Sequence, residues 1–245
     1  MRHAVALLSF AALFVPAGCT ATDRSATATP LLPHVRVDRR RRHVDLDATV
    51  VFDTRFDAAA QSTDDRPAGV WLELVACTPN TREYESLLAV RARPSHIHQA
   101  LLMIGLDPGA PMRSTLVNGK FETTEPTGDR VAVSVIVDPE AEPIPVNRWV
   151  VHRQTRRQLD DNVWIFTGSI FHQVNGKRVY VADLNGSVIS LVNFGDDLMS
   201  RTTLTTPQND QQMWTADESM LPPEGTSVVL RVQALDRDAD AAGAP

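Results

Sequence analysis

The sequence predicts a β-rich α+β fold, in which one or two twisted antiparallel sheets carry one main helix packed on a sheet face. Three observations lead to this fold class. Short alternating or β-branched runs dominate the chain, two Asn-Gly pairs separate the most regular runs, and one stretch combines helical periodicity with start and stop signals. The first two observations indicate antiparallel strands joined by tight turns, and the third indicates the helix.

The expected strands follow the order of the chain. Residues 43–51 alternate, with Val44, Leu46, Ala48 and Val50 on one side, as in a strand that buries one face. The other expected strands are compact or β-branched runs bounded by turn-forming residues: residues 70–76, 87–91, 130–137, 148–152 and 226–232. Their number makes the fold rich in β-structure.

One main helix is expected after Pro94. Ser95 is predicted to cap its N-terminus, and Gly105 with Pro108 ends it. Four apolar residues fall on one helical stripe: Ile97, Ala100, Leu101 and Ile104. We expect this stripe to pack on a face of the sheet, because a half-apolar helix must bury that side.

The two Asn-Gly pairs predict a three-stranded antiparallel meander. Asn175-Gly176 and Asn185-Gly186 each supply the two positive φ angles of a type I′ hairpin turn. The strands on either side of these turns are expected at residues 163–174, 178–184 and 187–193. Both hairpins are therefore expected to be tight.

Two-residue turns also fix the register of this meander. Phe171 is expected to face Tyr180, and Gly168 is expected to face Asp183. Because glycine has no side chain, open space would remain beside the Asp183 carboxylate, which shares its face with large apolar residues. Asp183 is then either a turn former bonded to the following backbone or a pocket carboxylate.

The N-terminal residues have the pattern of a signal peptide. Residues 4–15 are almost all apolar, which is too short for a membrane span, and Arg2 precedes them. Small residues before Cys19 resemble a lipobox, so Cys19 is the expected lipidation site; an ordinary signal peptide cut near Ala17 is the alternative. The expected organisation is a signal peptide at 1–19, a flexible tether at 20–33, one globular domain at 34–235 and a disordered tail at 236–245.

Lipidation predicts a protein that is secreted across the inner membrane and held in the periplasm or cell envelope by its anchor. The formal net charge of the 245 residues is −6, which argues against nucleic acid as a partner. The basic run Arg39–Arg42 is either a solvated hairpin tip or a contact for an anionic surface. If Cys19 is acylated, Cys77 is the remaining thiol; this excludes a structural disulfide and an iron–sulfur cluster, and no cofactor is expected.

Residues 77–109 contain most candidate catalytic and metal-binding side chains. Glu83 and Glu85 would share one face if a strand begins by residue 83, and paired carboxylates suit acid–base catalysis. The alternative is a solvated strand entrance. Cys77 is either a nucleophile or a small buried hydrophobe, and nearby carboxylates would raise its pKa rather than activate it.

The pair His96 and His98 lies on the expected helix, where positions two apart differ by about 200° around the axis. The two imidazoles therefore do not converge on one ion, and no metal site is predicted. Weak candidates for metal ligands are Glu83, Glu85 and His96. The candidate catalytic residues are Glu85, His96, Asp183 and Cys77.

Several motifs occur in a characteristic order: Cys77 with 85–88, residues 94–101 with Gly105 and Gly109, residues 164–169, residues 180–183, and residues 221–223. In this order they resemble the YdjY-type domain family of bacteria over most of residues 70–232. The family often has His between the two glutamates, where this chain has Tyr84. The resemblance implies no particular activity, and because the cysteines are lacking it does not imply the iron–sulfur chemistry of some members.

Two functional hypotheses remain open. The first is a cell-envelope lipoprotein that acts as a binding or assembly module, favoured by the lack of a convergent nucleophile, base and orienting residue. The second is a small hydrolase or metal-dependent enzyme that uses Glu83, Glu85, His96 or Asp183. The sequence does not indicate which protein or small molecule would be the partner.

Overall fold

The computed structural model describes residues 32–52, 71–201 and 213–236. The predicted signal peptide with Cys19, nearly all of the tether and residues 237–245 lie outside the described residues. The described residues therefore belong to the expected globular domain, apart from Leu32, Pro33 and Asp236 at its margins.

The described residues form eighteen strands, two α-helices and two 3-10 turns. The strands are β1 (Val35–Asp38), β2 (His43–Val50), β3 (Leu74–Cys77), β4 (Ser86–Val90), β5 (Pro108–Ala110), β6 (Arg113–Val117), β7 (Lys120–Thr124), β8 (Thr127–Gly128), β9 (Arg130–Ile136), β10 (Ile144–Pro145), β11 (Val150–His152), β12 (Trp164–Phe166), β13 (Phe171–Val174), β14 (Lys177–Tyr180), β15 (Ser187–Ser190), β16 (Met199–Arg201), β17 (Trp214–Ala216) and β18 (Ser227–Ala234). The helices are α1 (Pro94–Met103) and α2 (Val181–Asn185), and the 3-10 turns are Glu83–Glu85 and Val146–Trp149.

Eight of the described strands close into a barrel in the order β2-β18-β9-β12-β16-β15-β3-β4, and β4 pairs back onto β2. β1 extends the sheet beside β2, and β10 pairs with β9. The barrel pairings are antiparallel except for β15–β16 and β3–β4, which are parallel. Four two-stranded pairs lie outside the barrel: β5–β8, β6–β7, β11–β17 and β13–β14.

The predicted α+β fold with open, twisted antiparallel sheets and a helix on one sheet face is therefore wrong. An alternating sequence pattern shows only that one face of each strand is buried. An open sheet covered by a helix buries one face of each strand, and so does a closed barrel, so the pattern does not distinguish them. Closure depends on the pairing of Ala48 with Val90, between strands that are far apart in sequence. No local sequence pattern predicts that contact.

The two sides of the barrel differ in how they are covered. In β2, β9 and β18 buried residues alternate with partly exposed ones, so the outer face of this side meets solvent. In β3, β4, β12 and β15 every residue is buried, so other parts of the chain cover their outer face. The solvent-facing side and the covered side offer different kinds of site.

The main helix α1 is confirmed, and so is its buried stripe. Ile97, Ala100 and Leu101 are inaccessible to solvent and join the barrel core. The helix packs against β1 and β2. It ends before Gly105, whose φ is 81°. Ser95 lies inside the helix rather than at the predicted N-cap, a position that belongs to the residue before Pro94.

The first hairpin of the predicted meander is confirmed in type and register. β13 pairs with β14, and Phe171 faces Tyr180 as expected. Asn175 has a φ of 51° and Gly176 a φ of 74°, as a type I′ turn requires.

The second turn of the meander is wrong, and with it the pairing of Gly168 with Asp183. Asn185 is the last residue of α2, and Gly186 ends that helix in the left-handed region with a φ of 76°. The expected strand at residues 163–174 is also interrupted, because Gly168 and Ser169 both have positive φ. A helix C-terminus and a type I′ turn both favour a glycine with positive φ, so the dipeptide alone does not distinguish them.

Candidate functional site

Polar side chains gather around α2, which contacts α1 on one side and β15 on the other. Tyr180, just before α2, donates its hydroxyl proton to the Gly168 carbonyl at 2.8 Å, and the same oxygen lies 2.9 Å from Nδ1 of His98. Since the phenol has a single proton, His98 donates the second bond. The open space expected over Gly168 is absent, because a Cβ there would collide with Pro108 and approach His98.

Burial shifts both of these titratable groups away from their charged forms. Burial lowers the pKa of His98, while a hydrogen bond with the Gly168 carbonyl opposes that shift. Burial and the negative charge of Asp183 raise the pKa of Tyr180. His98 is therefore neutral and Tyr180 protonated near neutral pH, so this pair orients α1 and α2 through hydrogen bonds between neutral groups.

Asp183 caps the main helix from the first turn of α2. Its carboxylate accepts bonds from the backbone N–H and the hydroxyl of Ser95, each at 2.8 Å, and from Arg93 at 2.8 Å. A negative charge at this point compensates the positive end of the α1 dipole. Asp183 thus does not face Gly168, and its acceptor atoms are engaged at the α1 N-terminus.

Glu85 belongs to a second polar group, centred on Arg82. The Arg82 guanidinium bonds to the carboxylate of Glu85, lies 3.1 Å from the carboxylate of Glu73 and reaches the hydroxyl of Ser187 at 3.4 Å. The ring of Phe194 stacks on the guanidinium at 3.9 Å. This group links the 3-10 turn, the start of β3 and the start of β15 on the covered side.

Two carboxylates share one guanidinium here, and this arrangement affects the protonation of Glu73. Burial, followed by the charge of Glu85 and a hydrogen bond to it, raises the pKa of Glu73 to about 7, although Arg82 acts in the opposite direction. Glu73 therefore holds its proton more tightly than an exposed glutamate does. A carboxyl that exchanges its proton near neutral pH is compatible with catalysis and also with a structural role.

A neighbouring carboxyl, Asp196, joins the two polar groups. Burial raises its pKa, and a hydrogen bond from Asn185 at the end of α2 and the charge of Arg82 oppose that shift. The hydroxyl of Ser169 donates to the main-chain carbonyl of Asp196 at 2.6 Å. Asp196 therefore lies between the two polar groups, with Ser169 bonded to its main chain and the charge of Arg82 acting on its carboxyl.

The other sequence-predicted site residues lie apart from this network or in its margin. Glu83 lies in the 3-10 turn and accepts the backbone N–H of Asn80, so it does not share a strand face with Glu85 as predicted. Cys77 is buried in β3, and burial raises the pKa of its thiol. His96 lies on α1, and its buried Nδ1 has no hydrogen-bond partner among the described residues.

The structure divides the candidate residues rather than uniting them. Asp183 serves the N-terminus of α1, while Glu85 pairs with Arg82. Within the described residues, no three side chains of His, Cys, Asp or Glu are placed to hold a metal ion together. Among those residues, neither helix has the length and apolar character needed to cross a membrane.

A groove of about 550 Å³ opens on the solvent-facing side of the barrel, across the outer faces of β2, β9 and β18. Its volume lies within the roughly 300–1,000 Å³ of small-molecule sites. Apolar residues line part of it: Ile136, Val137, Pro139 and Val229, together with Ala48 and Val228, whose side chains belong to the buried core. Arginines and aspartates line the rest, so the groove combines apolar surface with charge.

The charges of the groove are unevenly satisfied. Arg231 makes two bonds to Asp45, at 2.7 and 2.8 Å, and Arg36 pairs with Asp47. Arg91 also lines the groove and is exposed, and no described acidic side chain pairs with it. As far as the described residues go, the groove therefore has one guanidinium without an acidic partner, a group suited to a carboxylate, sulfonate or phosphate.

Comparison with known proteins decides the family. The family model for the YdjY domain matches residues 35–233 of the chain. The chain belongs to the YdjY domain family. No curated protein and no solved structure gives a significant match. The resemblance noted for residues 70–232 is confirmed, and the YdjY domain extends further toward the N-terminus, through β1 and β2.

Several residues of this YdjY domain were not found as candidates from the sequence. Arg82 precedes Glu85 by three positions, a spacing that suits a local ion pair, but Glu73 comes from an earlier strand. Arg91 occurs as one arginine among many, and the groove beside it exists only after β2, β9 and β18 are aligned. The Arg82 cluster and the Arg91 groove thus depend on tertiary pairing.

Proposed function

We propose that the protein is a lipid-anchored domain of the cell envelope that binds a small organic anion in the groove beside Arg91. The carrying observation is the Arg91 guanidinium, with which no acidic side chain among the described residues pairs, next to apolar groove surface. The small residues before Cys19 support the anchor, and membership of the YdjY domain family agrees with a bacterial protein of this type without assigning a ligand.

The two parts of the groove favour a ligand with an acidic group and an apolar body. Apolar contact contributes about 25 cal/mol per Å² of surface removed from water, and Arg91 supplies direction through charge-assisted hydrogen bonds. The neighbouring pairs Arg231–Asp45 and Arg36–Asp47 are already neutralised and shape the walls. A carboxylate with a hydrocarbon portion would meet both requirements.

The alternative of a hydrolase or metal-dependent enzyme has weaker support. Cys77 is buried and its raised pKa disfavours the thiolate that a nucleophile needs. Asp183 is occupied as a helix cap, and Glu85 is occupied by Arg82. The groove, by contrast, presents Arg91, whose charge no acidic side chain in the described part of the chain neutralises.

A pair of related dyes tests the groove. Anilinonaphthalenesulfonate has a sulfonate on an aromatic body, and phenylnaphthylamine has a closely similar body without the charge. We expect Arg91→Gln to weaken binding of the sulfonate about tenfold, measured by fluorescence titration, and to leave the neutral dye unchanged. Arg148→Gln, at an exposed arginine outside the groove, is the matched control.

Three results would refute the anion site. Equal affinity of wild type and Arg91→Gln for the sulfonate would do so, as would an equal loss in Arg148→Gln. An equal loss of affinity for both dyes in Arg91→Gln would indicate that Arg91 shapes the groove and does not bind the charged group of the ligand.

The anchor is tested separately, through Cys19→Ser. This variant is expected to leave the membrane fraction and to lose incorporation of labelled fatty acid, because the thiol is the acceptor for the lipid. Its dye binding should match that of wild type. Membrane association that persists unchanged in Cys19→Ser would refute the lipoprotein assignment and leave the groove untouched.

A further inference from the structure

Two hairpins outside the barrel have the same tip. β6–β7 turns through Val117-Asn118-Gly119-Lys120, and β13–β14 turns through the same four residue types at 174–177. The turn residues also share their backbone, with φ of 50° and 76° in the first tip and 51° and 74° in the second. Each tip therefore presents a valine and a lysine on either side of a rigid type I′ turn.

The two hairpins leave the barrel beside one loop, residues 194–197. The first follows Met112, whose carbonyl lies 3.2 Å from the position that a Cβ on Gly195 would take. The second follows Ser169, whose N–H bonds the Asp197 carbonyl at 2.8 Å and whose hydroxyl bonds the Asp196 carbonyl. The bases of the hairpins are thus neighbours, although they are far apart in sequence.

The hairpins differ from the rest of the chain in charge. The whole chain has a formal net charge of −6. β13–β14 contains Lys177 and Arg178 and no acidic residue, and β6–β7 contains Arg113 and Lys120 against Glu122. A local excess of positive charge on an acidic protein is the complement of an anionic surface.

Large apolar side chains are exposed on the same hairpins. Leu116 is 61% exposed and Phe171 is 51% exposed. The guanidinium of Arg178 stacks over the Phe171 ring at 4.0 Å, so an aromatic group and a cation form one preassembled unit. Exposed aromatic and aliphatic groups next to cations are typical of surfaces that bind at the boundary between lipid headgroups and acyl chains.

We propose that the β6–β7 and β13–β14 hairpins dock on a bilayer surface that contains anionic lipid. Lys120, Lys177 and Arg178 contact headgroup phosphates. Leu116 and Val174, which lie close to the two turns, enter the boundary region, while Phe171 at the base of its hairpin stays at the level of the headgroups. Lipid is favoured over an acidic protein surface because apolar side chains and cations alternate on narrow tips, which penetrate a fluid interface without a shaped partner. The docking is independent of the Arg91 groove and of the acyl anchor.

Cosedimentation of the full chain with vesicles tests the charge component. Vesicles of phosphatidylcholine alone are compared with vesicles that also contain phosphatidylglycerol. The triple variant Lys120→Glu, Lys177→Glu, Arg178→Glu is expected to lose at least about tenfold in binding to the anionic vesicles, since each basic residue contributes near the surface. Its binding to the neutral vesicles should stay within about twofold of wild type.

A matched control reverses the same charge elsewhere. The triple variant Arg39→Glu, Arg40→Glu, Arg41→Glu alters a run of exposed basic residues at the β1–β2 turn and is expected to bind anionic vesicles like wild type. The apolar N-terminal segment is present in every variant, so differences between variants report the hairpins. Equal losses of binding in the two triple variants would overturn the proposal. Binding of the hairpin variant at the wild-type level would also overturn it, and would leave an acidic protein surface as the partner.

The apolar component has its own pair of variants. Leu116→Ser is expected to weaken binding to the anionic vesicles several-fold with no change in melting temperature, because this side chain is exposed on a hairpin. Leu102→Ser removes a leucine that is 45% exposed on α1 and should leave vesicle binding unchanged. Unchanged binding by Leu116→Ser would remove the apolar insertion and refute docking in the form proposed.

Discussion

The two Asn-Gly pairs have almost the same glycine conformation but lie in different structures. Gly176, with a φ of 74°, is in the tight turn between β13 and β14. Gly186, with a φ of 76°, ends α2. A Cβ on Gly176 would meet no atom within 4 Å, whereas one on Gly186 would collide with the hydroxyl oxygens of Thr78 and Thr81. The Asn-Gly dipeptide therefore predicts a positive φ at the glycine. Whether that glycine lies in a hairpin turn or at a helix C-terminus depends on the surrounding structure.

What separates the two pairs is the sequence on either side. The first pair has extended, alternating residues before and after it, which favour a hairpin. The second follows Val181-Ala182-Asp183-Leu184, where Asp183 finds a better partner in the N-terminus of α1 than in a local turn. A long-range contact therefore decides whether the same signal ends a helix or reverses a strand.

The largest expected effect is that of Gly186→Val. Positive φ costs a β-branched residue about 1–2 kcal/mol, and overpacking against Thr78 and Thr81 adds about 1–3 kcal/mol. We therefore expect a loss of roughly 3 kcal/mol in the free energy of unfolding, measured by urea denaturation. A cost no greater than that of Gly176→Val would contradict the crowded environment of Gly186.

The second pair also adjoins the Arg82 cluster, whose protonation gives a pH effect. The pKa of Glu73 is raised to about 7 from the usual 4.5, so between these pH values the folded state holds a proton that the unfolded state has released. This contribution is fully present below about pH 4.5 and is lost as the pH rises through about 7, on the order of 1–3 kcal/mol. Glu73→Gln should remove it.

The measurement is the difference in unfolding free energy between wild type and Glu73→Gln from pH 5 to pH 8. A difference is needed because the lowered pKa values of His43 and His98 change stability in the opposite direction with pH. A pH-independent difference would show that Glu73 stays ionised beside Arg82. The same series on Gly176→Val should resemble wild type, since that turn is remote from the cluster.

A smaller effect is expected from Asp183→Ala, which removes the cap of α1. Loss of an N-terminal carboxylate acceptor costs about 1–2 kcal/mol. Because Gly186 ends the helix that positions Asp183, the double variant with Gly186→Ala should cost less than the sum of the single variants. In the double variant Asp183→Ala, Gly176→Ala, the two losses of unfolding free energy should add. A deviation from additivity of more than about 0.5 kcal/mol would contradict the separation of the two regions.

The smallest effect is expected from Gly176→Val. The site has room for the side chain, so the cost is limited to backbone strain of about 1 kcal/mol. Thermal unfolding should show a shift of a few degrees, with β13–β14 still formed by hydrogen-exchange protection. Unfolding of the domain by this change would mean that the hairpin tip carries tertiary contacts.

The contrast between these pairs explains which parts of the fold are predictable from the sequence. The alternation in β2, the stripe of α1 and the first Asn-Gly turn depend on neighbours within a few positions, and each is confirmed. Barrel closure between β2 and β4 and the parallel pairing of β15 with β16 depend on residues far apart. No periodicity in one segment specifies its distant partner, so an open sheet is an equally good interpretation.

The same reasoning applies to the site. Glu85 is recognisable as a residue near others of its charge, but its neighbour Glu73 and the raised pKa of Glu73 follow from the β3–β4 pairing. Asp183 is recognisable as unusual among apolar residues, yet its role as a cap depends on α2 approaching α1. The Arg91 groove had no counterpart in the sequence, because the outer faces of three strands build it.

The position of β18 in the barrel bears on the order in which the chain folds. This strand, at the C-terminal end of the described residues, lies between β2 and β9 and pairs with both. A chain that is made from its N-terminus cannot close the barrel until residue 234 is available, and β2 and β9 must wait with unpaired edges. Such distant pairing raises the contact order and slows folding, so we expect the barrel to close late.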